Sequence, residues 1–315
     1  MQTSTFRLAV EGGVELFVYR WEPEAKAKAV VQIAHGMAEH GGRYARVAEQ
    51  LTKAGYAVYC GDLRGHGHTA ATPGDLGYFA DHDGFRVVLE DLHRIHERIA
   101  ADHPGLPIYL LGHSMGSFFT QHYLFTYGAE LAGAVLSGTS GGLAPLPQLG
   151  RIVAAAERAR LGARGRSSLL HTLSLLGYNL GIKPRRSEHD WISSDPDEVD
   201  KYAADPLCGF VFTVQAWSDL YGGLIEMERP ENVQRIPRSL PVYFFSGAAD
   251  PVGRKTRGVR CVIDAYKKAG LTDISEHFYP GGRHEMLNER NRAEVFRDLI
   301  AWLDAAFARR ERPQS

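Results

Sequence analysis

A serine sits between two glycines at Gly112-His113-Ser114-Met115-Gly116. It follows the apolar run PIYLL and opens the helical pattern MGSFFTQHYLFTYG. A strand–turn–helix elbow at such a point holds a serine in a strained backbone conformation and lifts its hydroxyl above the carboxyl ends of the strands. Small flanking residues, Gly112 and Gly116, let the chain turn without a Cβ clash. The backbone N–H of Met115, at the helix start, then faces the position where an oxyanion would develop. A plain helix N-cap serine is the bland alternative.

A serine hydroxyl is a weak nucleophile at neutral pH and needs an adjacent base. The chain has 14 histidines, so position has to select one. His284 lies in the loop GGRHEMLNE, just past the strand-like run ISEHFYP and before the last helix. The pair His284-Glu285 also begins like a zinc-protease H-E-x-x-H, but the fifth residue is Asn288, so that motif fails. Asp250 ends the run PVYFFSGAAD. From there a carboxylate accepts a hydrogen bond from a histidine Nδ1 and fixes the tautomer whose Nε2 can take the serine proton. Acyl transfer needs a second backbone donor for the oxyanion, and His35-Gly36-Met37, after the strand-like AVVQIA, offers the Met37 N–H. Solvated-loop or turn roles are the bland readings of all three segments.

Other glycine signals carry less. Gly65-His66-Gly67-His68-Thr69-Ala70 fits a loose dinucleotide fingerprint, yet Pro73 and Gly74 fall where a helix should be running. No P-loop sequence occurs. His66 and His68 have no Cys or His companions at zinc spacing. Neither a metal nor an organic cofactor is expected.

These residues need elements to hold them. FRLAVEGGVELFVYRW reads as an antiparallel hairpin around Gly12 and Gly13. Beyond it, buried-type strands (AVVQIA, YAVYCG, PIYLL, LAGAVLSG, PVYFFSG, ISEHFYP) alternate with helical patterns. Alternation of this kind predicts a mostly parallel α/β sheet with helices on both faces and an antiparallel start. Residues 141–210 break the rhythm with short helical patterns and Pro and Gly interruptions. They are read as a helical cap inserted between two halves of the core, residues 1–140 and 211–315. From Arg151 to Arg186 the cap is rich in arginine. A solvated surface is the plain reading, and a face for anionic lipid head groups is the sharper one. The tail RRERPQS is expected to fray.

Composition sets the outer bounds. A formal net charge of −1 and a pI of about 6.9 give no sign of a nucleic-acid partner. Three cysteines do not make a disulfide framework. The N-terminal MQTSTFRLAVEGG lacks the basic-then-apolar pattern of a signal peptide, and no apolar run of membrane-spanning length occurs. A cytoplasmic, soluble protein is the expectation, with peripheral membrane contact confined to the cap.

Taken together, AHGMAEHGGRY, DLRGHGHT, LLGHSMG, SGAADPVG and PGGRHEMLNE resemble the monoacylglycerol lipase and lysophospholipase branch of the α/β-hydrolases, also grouped with serine aminopeptidases. The resemblance implies Ser114 as nucleophile, with Asp250 and His284 completing a triad in the family's chain order. It implies Met37 and Met115 as oxyanion-hole donors, supported by His35, Gly36, Gly112, His113 and Gly116. It also implies a cap over an apolar acyl tunnel, with Asp205-Pro206-Leu207 near the cap's end. Thr69 stands where the family usually has serine, which keeps a hydroxyl. The expected activity is hydrolysis of a small-molecule acyl ester of the monoacylglycerol or lysophospholipid class. The alternatives are amide hydrolysis at a peptide N-terminus, which calls for acidic groups in the cap, and a non-catalytic binding protein on the same fold.

Overall fold

The computed structural model describes residues 1–311. Residues 312–315, which end the tail expected to fray, lie outside the described residues. Eight strands form one sheet: β1 (Gln2–Ala9), β2 (Glu15–Glu22), β3 (Ala29–Ala34), β4 (Tyr56–Gly61), β5 (Ile108–His113), β6 (Gly133–Ser137), β7 (Val242–Gly247) and β8 (Ile274–Tyr279). Their order is β1-β2-β4-β3-β5-β6-β7-β8. β1 pairs antiparallel with β2, and β2 with β4; every other pairing is parallel. The mixed α/β sheet read from the sequence is therefore the observed one.

Ten α-helices accompany the sheet among the described residues. α1 (Ala45–Lys53), α2 (Gly84–Asp102) and α3 (Met115–Tyr127) connect the first parallel strands. α4 (Leu146–Leu161), α5 (Ser168–Leu175), α6 (Pro196–Ala204), α7 (Val214–Met227) and α8 (Pro230–Val233) all fall between β6 and β7. α9 (Arg257–Ala269) and α10 (Arg292–Glu311) complete the chain.

The central strands β3 to β7 are buried throughout. Successive side chains on a strand point to opposite faces, so one apolar run feeds two cores. In β7, Val242 and Phe244 belong to the apolar core that α2, α3 and α9 also enter, while Tyr243 and Phe245 belong to the one that α1 and α10 enter. Burying a side chain of this size contributes about 1.5–3 kcal/mol. That explains why these runs are continuous rather than alternating in polarity.

The strand order reverses around β3, which has β4 on one side and β5 on the other. In open parallel sheets the crevice at the carboxyl ends of such a switch point is where ligands bind. The loop after β3 carries Gly36 and Met37, and the turn after β5 carries Ser114.

α4 packs along α7. Arginines fasten this layer to the core. Arg164 pairs with Asp75 at 3.0 Å, and Arg166 donates to the carbonyls of Val211, Gly74 and Leu76. Arg158 bonds Gln215, Arg160 bonds Glu157 and Arg186 bonds Asp200. Much of the positive charge seen in the sequence is therefore engaged in internal contacts.

Candidate active site

Ser114 has φ +52° and ψ −120° between the end of β5 and the start of α3. A non-glycine residue with positive φ is strained, and it persists only where its surroundings fix it. Here Ser114 N donates to Ser137 O at 2.9 Å, and Ser114 O accepts from Ser117 N and Oγ. A Cβ on Gly116 would stand 2.0 Å from Ala34 O, so only glycine lets α3 start this close to β3. Ser114 is partly exposed, while its neighbours are buried.

Asp250 and His284 meet although 34 residues separate them: His284 Nδ1 lies 3.0 Å from Asp250 Oδ1. Asp250 is fully buried. Its Oδ1 also accepts from Val252 N at 2.9 Å, and its Oδ2 from Ser246 Oγ at 3.2 Å. These bonds leave Nδ1 as the donor and Nε2 as the basic nitrogen. Burial alone would lower the imidazole pKa, but the adjacent Asp250 charge outweighs it, and the pKa stands above the usual 6.5. Burial likewise pushes the Asp250 carboxyl up, and the imidazole facing it brings it below the ordinary 3.8. His284 Nε2 is buried with no hydrogen-bond partner. No hydrogen bond joins it to Ser114 Oγ, although both residues line one cavity.

The two loops meet backbone to backbone. Ala248 N donates to Tyr279 O and Ala249 N to Gly282 O. Gly247 at the end of β7 makes this possible, since a Cβ there would lie 2.1 Å from the carbonyl oxygens of both Gly282 and Arg283. The chain between α5 and α6 adds a further tie: Glu285 N donates to Ile192 O at 2.7 Å, and the Trp191 ring lies 5.0 Å from that of His284.

The loop after β3 is held by bonds to the backbone groups of Gly36 and Ala38. Gly36 N donates to Glu39 Oε1 at 2.5 Å, and Gly36 O faces His35 Nδ1 at 2.8 Å. Ala38 N donates to His66 Nε2 at 3.3 Å, and Ala38 O accepts from Tyr202 OH and Gly209 N. Leu63 N donates to His35 Nε2 at 2.9 Å. The Met37 and Met115 amides have no protein partner among these bonds. Burial holds His35 and His66 neutral, with pKa values near 3. It also takes His113, whose ring is 4.8 Å from that of His284, down to about 4.

Glu39 anchors a buried ionic group. It accepts from Tyr44 OH and from Arg43, and Arg43 grips Glu285 with two bonds of 2.8 and 2.7 Å. Sequence reasoning gave no role to Glu39, Arg43, Tyr44, Glu285 or His66. The four-residue step from Glu39 to Arg43 was a visible signal, but Arg43's other partner, Glu285, lies 242 positions away.

A cavity of about 500 Å³ opens over Ser114. Its walls include Leu146, Leu149 and Val153 of α4, Leu170 and Leu173 of α5, and Phe210, Trp217 and Leu224. Leu146, Leu149, Leu173 and Leu176 line it and are also about half to two-thirds exposed (66%, 54%, 48% and 69%), so its rim is apolar. No acidic side chain from residues 141–210 lines it. The only acids on its wall, Glu39 and Glu285, are both held by Arg43.

Among the described residues, two groups of three gather metal-type donor atoms within 4.8 Å: His40, Asp205 and Cys208, and His277, Glu294 and Asp298. In the first, His40 Nδ1 accepts from Gly42 N, so Nε2 carries the proton it shares with Asp205 at 3.0 Å. A metal-bound histidine instead donates from its second nitrogen, so this group reads as a hydrogen-bonded pair.

Strand order, elbow and capped cavity together define an α/β-hydrolase. The family described as serine aminopeptidase, S33, matches residues 25–291, and the chain belongs to it. A monoacylglycerol lipase of Mycolicibacterium smegmatis is 30% identical over 299 residues, covering 93% of this chain and 94% of that one. The human monoglyceride lipase is 28% identical, covering 92% and 87%. Among solved structures, a thermostable carboxyl esterase from Bacillus coagulans, in complex with glycerol, superposes with a TM-score of 0.89 at 30% identity, covering 98% and 99% of the two chains.

Proposed function

We propose that the protein hydrolyses carboxylic ester bonds of lipid-like acyl esters, of the monoacylglycerol or lysophospholipid class, through an acyl-enzyme. The observation that carries this reading is the convergence of a strained Ser114 and the Asp250–His284 pair on one large apolar cavity. The similarity to monoacylglycerol lipases and to a carboxyl esterase supports the same bond type.

In this mechanism His284 Nε2 takes the Ser114 proton as Oγ attacks the acyl carbonyl. The Met37 and Met115 amides hold the resulting oxyanion, and such donors are worth about 10²–10³ in rate each. Collapse breaks the ester C–O bond, and the imidazolium passes its proton to the leaving alcohol. Water, deprotonated by His284, then releases the fatty acid and restores Ser114. The Ser114–His284 hydrogen bond closes when substrate is seated, as catalytic bonds commonly do. Residues 141–210 act as the cap that shapes the acyl tunnel. Its exposed leucines form an apolar face, extended by Ile152, Leu169 and Leu180, that rests on a lipid surface. No helix among the described residues is long and apolar enough to cross a membrane.

The test is a chain-length series of acyl esters run beside monoacylglycerols, lysophospholipids and amino-acid anilides. Esters of medium or long chain should be preferred, and Ser114→Ala should abolish turnover with the fold intact. Anilides turned over as fast as esters would overturn the ester assignment.

A further inference from the structure

A second cleft, of about 330 Å³, lies beside the acyl cavity, and Tyr178 lines both. One wall is apolar, formed by Tyr178, Leu180 and Ile182. The other carries Arg254, Lys255, Arg257 and Arg283. No acidic side chain lines the cleft, and none of the four cations forms a salt bridge among the described residues. Arg254 and Arg283 donate to backbone carbonyls, of Gly141 and of Asp190 and Ser193 respectively. Lys255 and Arg257 are exposed and have no side-chain hydrogen bond to the protein.

The cationic lip is held in an uncommon backbone. Arg254, Lys255 and Thr256 are three successive non-glycine residues with positive φ, at 50°, 53° and 74°. Strain of this sort concentrates at binding sites and switches. The lip is also tied to the candidate active site: Lys255 N donates to Asp250 O at 2.8 Å. Ala249 and Pro251, on either side of Asp250, and Arg283, next to His284, complete the wall.

Two exposed cations without a partner, Lys255 and Arg257, backed by two arginines that are bonded only to neutral groups and set in one cleft with an apolar wall, call for one kind of guest: an anionic head on a hydrocarbon chain. We propose that this cleft binds the carboxylate of a single-chain amphiphile, the chemical class of the fatty acid that the reaction releases, so that product held there adjoins the Asp250–His284 pair. This rests on the ester-hydrolase reading of the first cavity.

The test uses the full-length protein and counts bound dodecanoate by equilibrium dialysis below its micellar concentration, before and after Ser114 is capped with a dodecyl fluorophosphonate. Capping fills the first cavity, and its extent, read by mass spectrometry, tests the ester-hydrolase reading separately. The expected result is one dodecanoate remaining after capping, with affinity about tenfold weaker in Lys255→Gln/Arg257→Gln, the loss for two exposed charge contacts. Capped and uncapped protein should show the same difference between wild type and variant, so the comparison stands even if capping fails. Dodecanol should not occupy the second site. Dodecyl phosphate binding more tightly than dodecanoate would overturn the carboxylate assignment in favour of a phosphate head. Equal binding by wild type and the double variant, or displacement of dodecanoate by dodecanol, would overturn the site itself.

Discussion

Replacing Gly247 with alanine should damage catalysis from beneath the site, without touching any reacting group. The new Cβ would stand 2.1 Å from the carbonyl oxygens of Gly282 and Arg283, whereas real Cβ atoms essentially never come within 3.0 Å of a neighbour. Both obstacles are backbone atoms, so no side-chain rotation relieves them. The loop bearing His284 must retreat by about 0.9 Å, away from the turn that carries Asp250. Overpacking of this kind costs about 2 kcal/mol. With an unfolding entropy of about 2.1 cal/mol/K per residue, that lowers the Tm of a chain this long by about 3 °C. A displacement approaching 1 Å in catalytic groups costs about 10²-fold in rate. Calorimetry and ester kinetics on the variant, with Gly222→Ala as control, read both effects. A Cβ on Gly222 meets nothing within 4 Å, and alanine favours its helix by up to about 1 kcal/mol. Gly247→Ala with wild-type Tm and a kcat within about twofold of wild type would refute the idea that this close backbone approach positions the imidazole.

Asp250→Asn should lower kcat by about 10⁴-fold through loss of the correct tautomer; retention of more than about a tenth of wild-type kcat would contradict the pairing. The pH–rate profile should have a single acid limb centred above 6.5, because the base must be neutral and Asp250 raises the His284 pKa. In Asp250→Asn that limb should move to lower pH, since burial is then opposed only by the smaller effects of Glu285 and Glu39; an unmoved limb would mean another group titrates. Glu39→Gln should reduce kcat about tenfold at nearly constant KM and move the acid limb slightly to lower pH, much less than Asp250→Asn does, because the Glu39 charge is a smaller contributor to the raised His284 pKa than Asp250. Leu176→Ser/Leu180→Ser should weaken co-sedimentation with lipid vesicles by about tenfold, given side chains worth about 1.5–3 kcal/mol each when fully buried; unchanged sedimentation would dismiss the cap as the contact face.

The middle of the sheet was legible in the sequence because β3 to β7 are buried on both faces, and such strands read as unbroken apolar runs between helical patterns. Ser114 and Asp250 stood out for a related reason: each follows such a run, where a parallel sheet exposes its carboxyl edge; His284 follows the half-buried edge strand β8 and stood out by its glycine-rich loop before the last helix. What surrounds them was not legible. Glu39 acts through a turn in which Ala38 takes φ +52°, and nothing in the residue type alanine announces that. His66 was weighed within a dinucleotide-type fingerprint and as a metal ligand, and set aside in both. In the fold its Nε2 accepts an amide hydrogen from a loop 28 residues away. Gly247 looked like any strand-ending glycine, and its partners at 282 and 283 become neighbours only once β7 and β8 pair. The arginines between 151 and 186 gave a charge pattern without partners, and several of those partners belong to distant loops or are backbone carbonyls.

Those arginine contacts differ in how they answer to ionic strength. The Arg164–Asp75 pair is exposed and weakens as counter-ions screen it. The Arg166 bonds end on peptide oxygens of Gly74, Leu76 and Val211, which carry no net charge for salt to mask. Brine alone will therefore not unlatch this flank. The leucine-rich rim that meets solvent has no such tie to the core through Leu146, Leu149, Leu173 or Leu176, whose side chains form no hydrogen bonds.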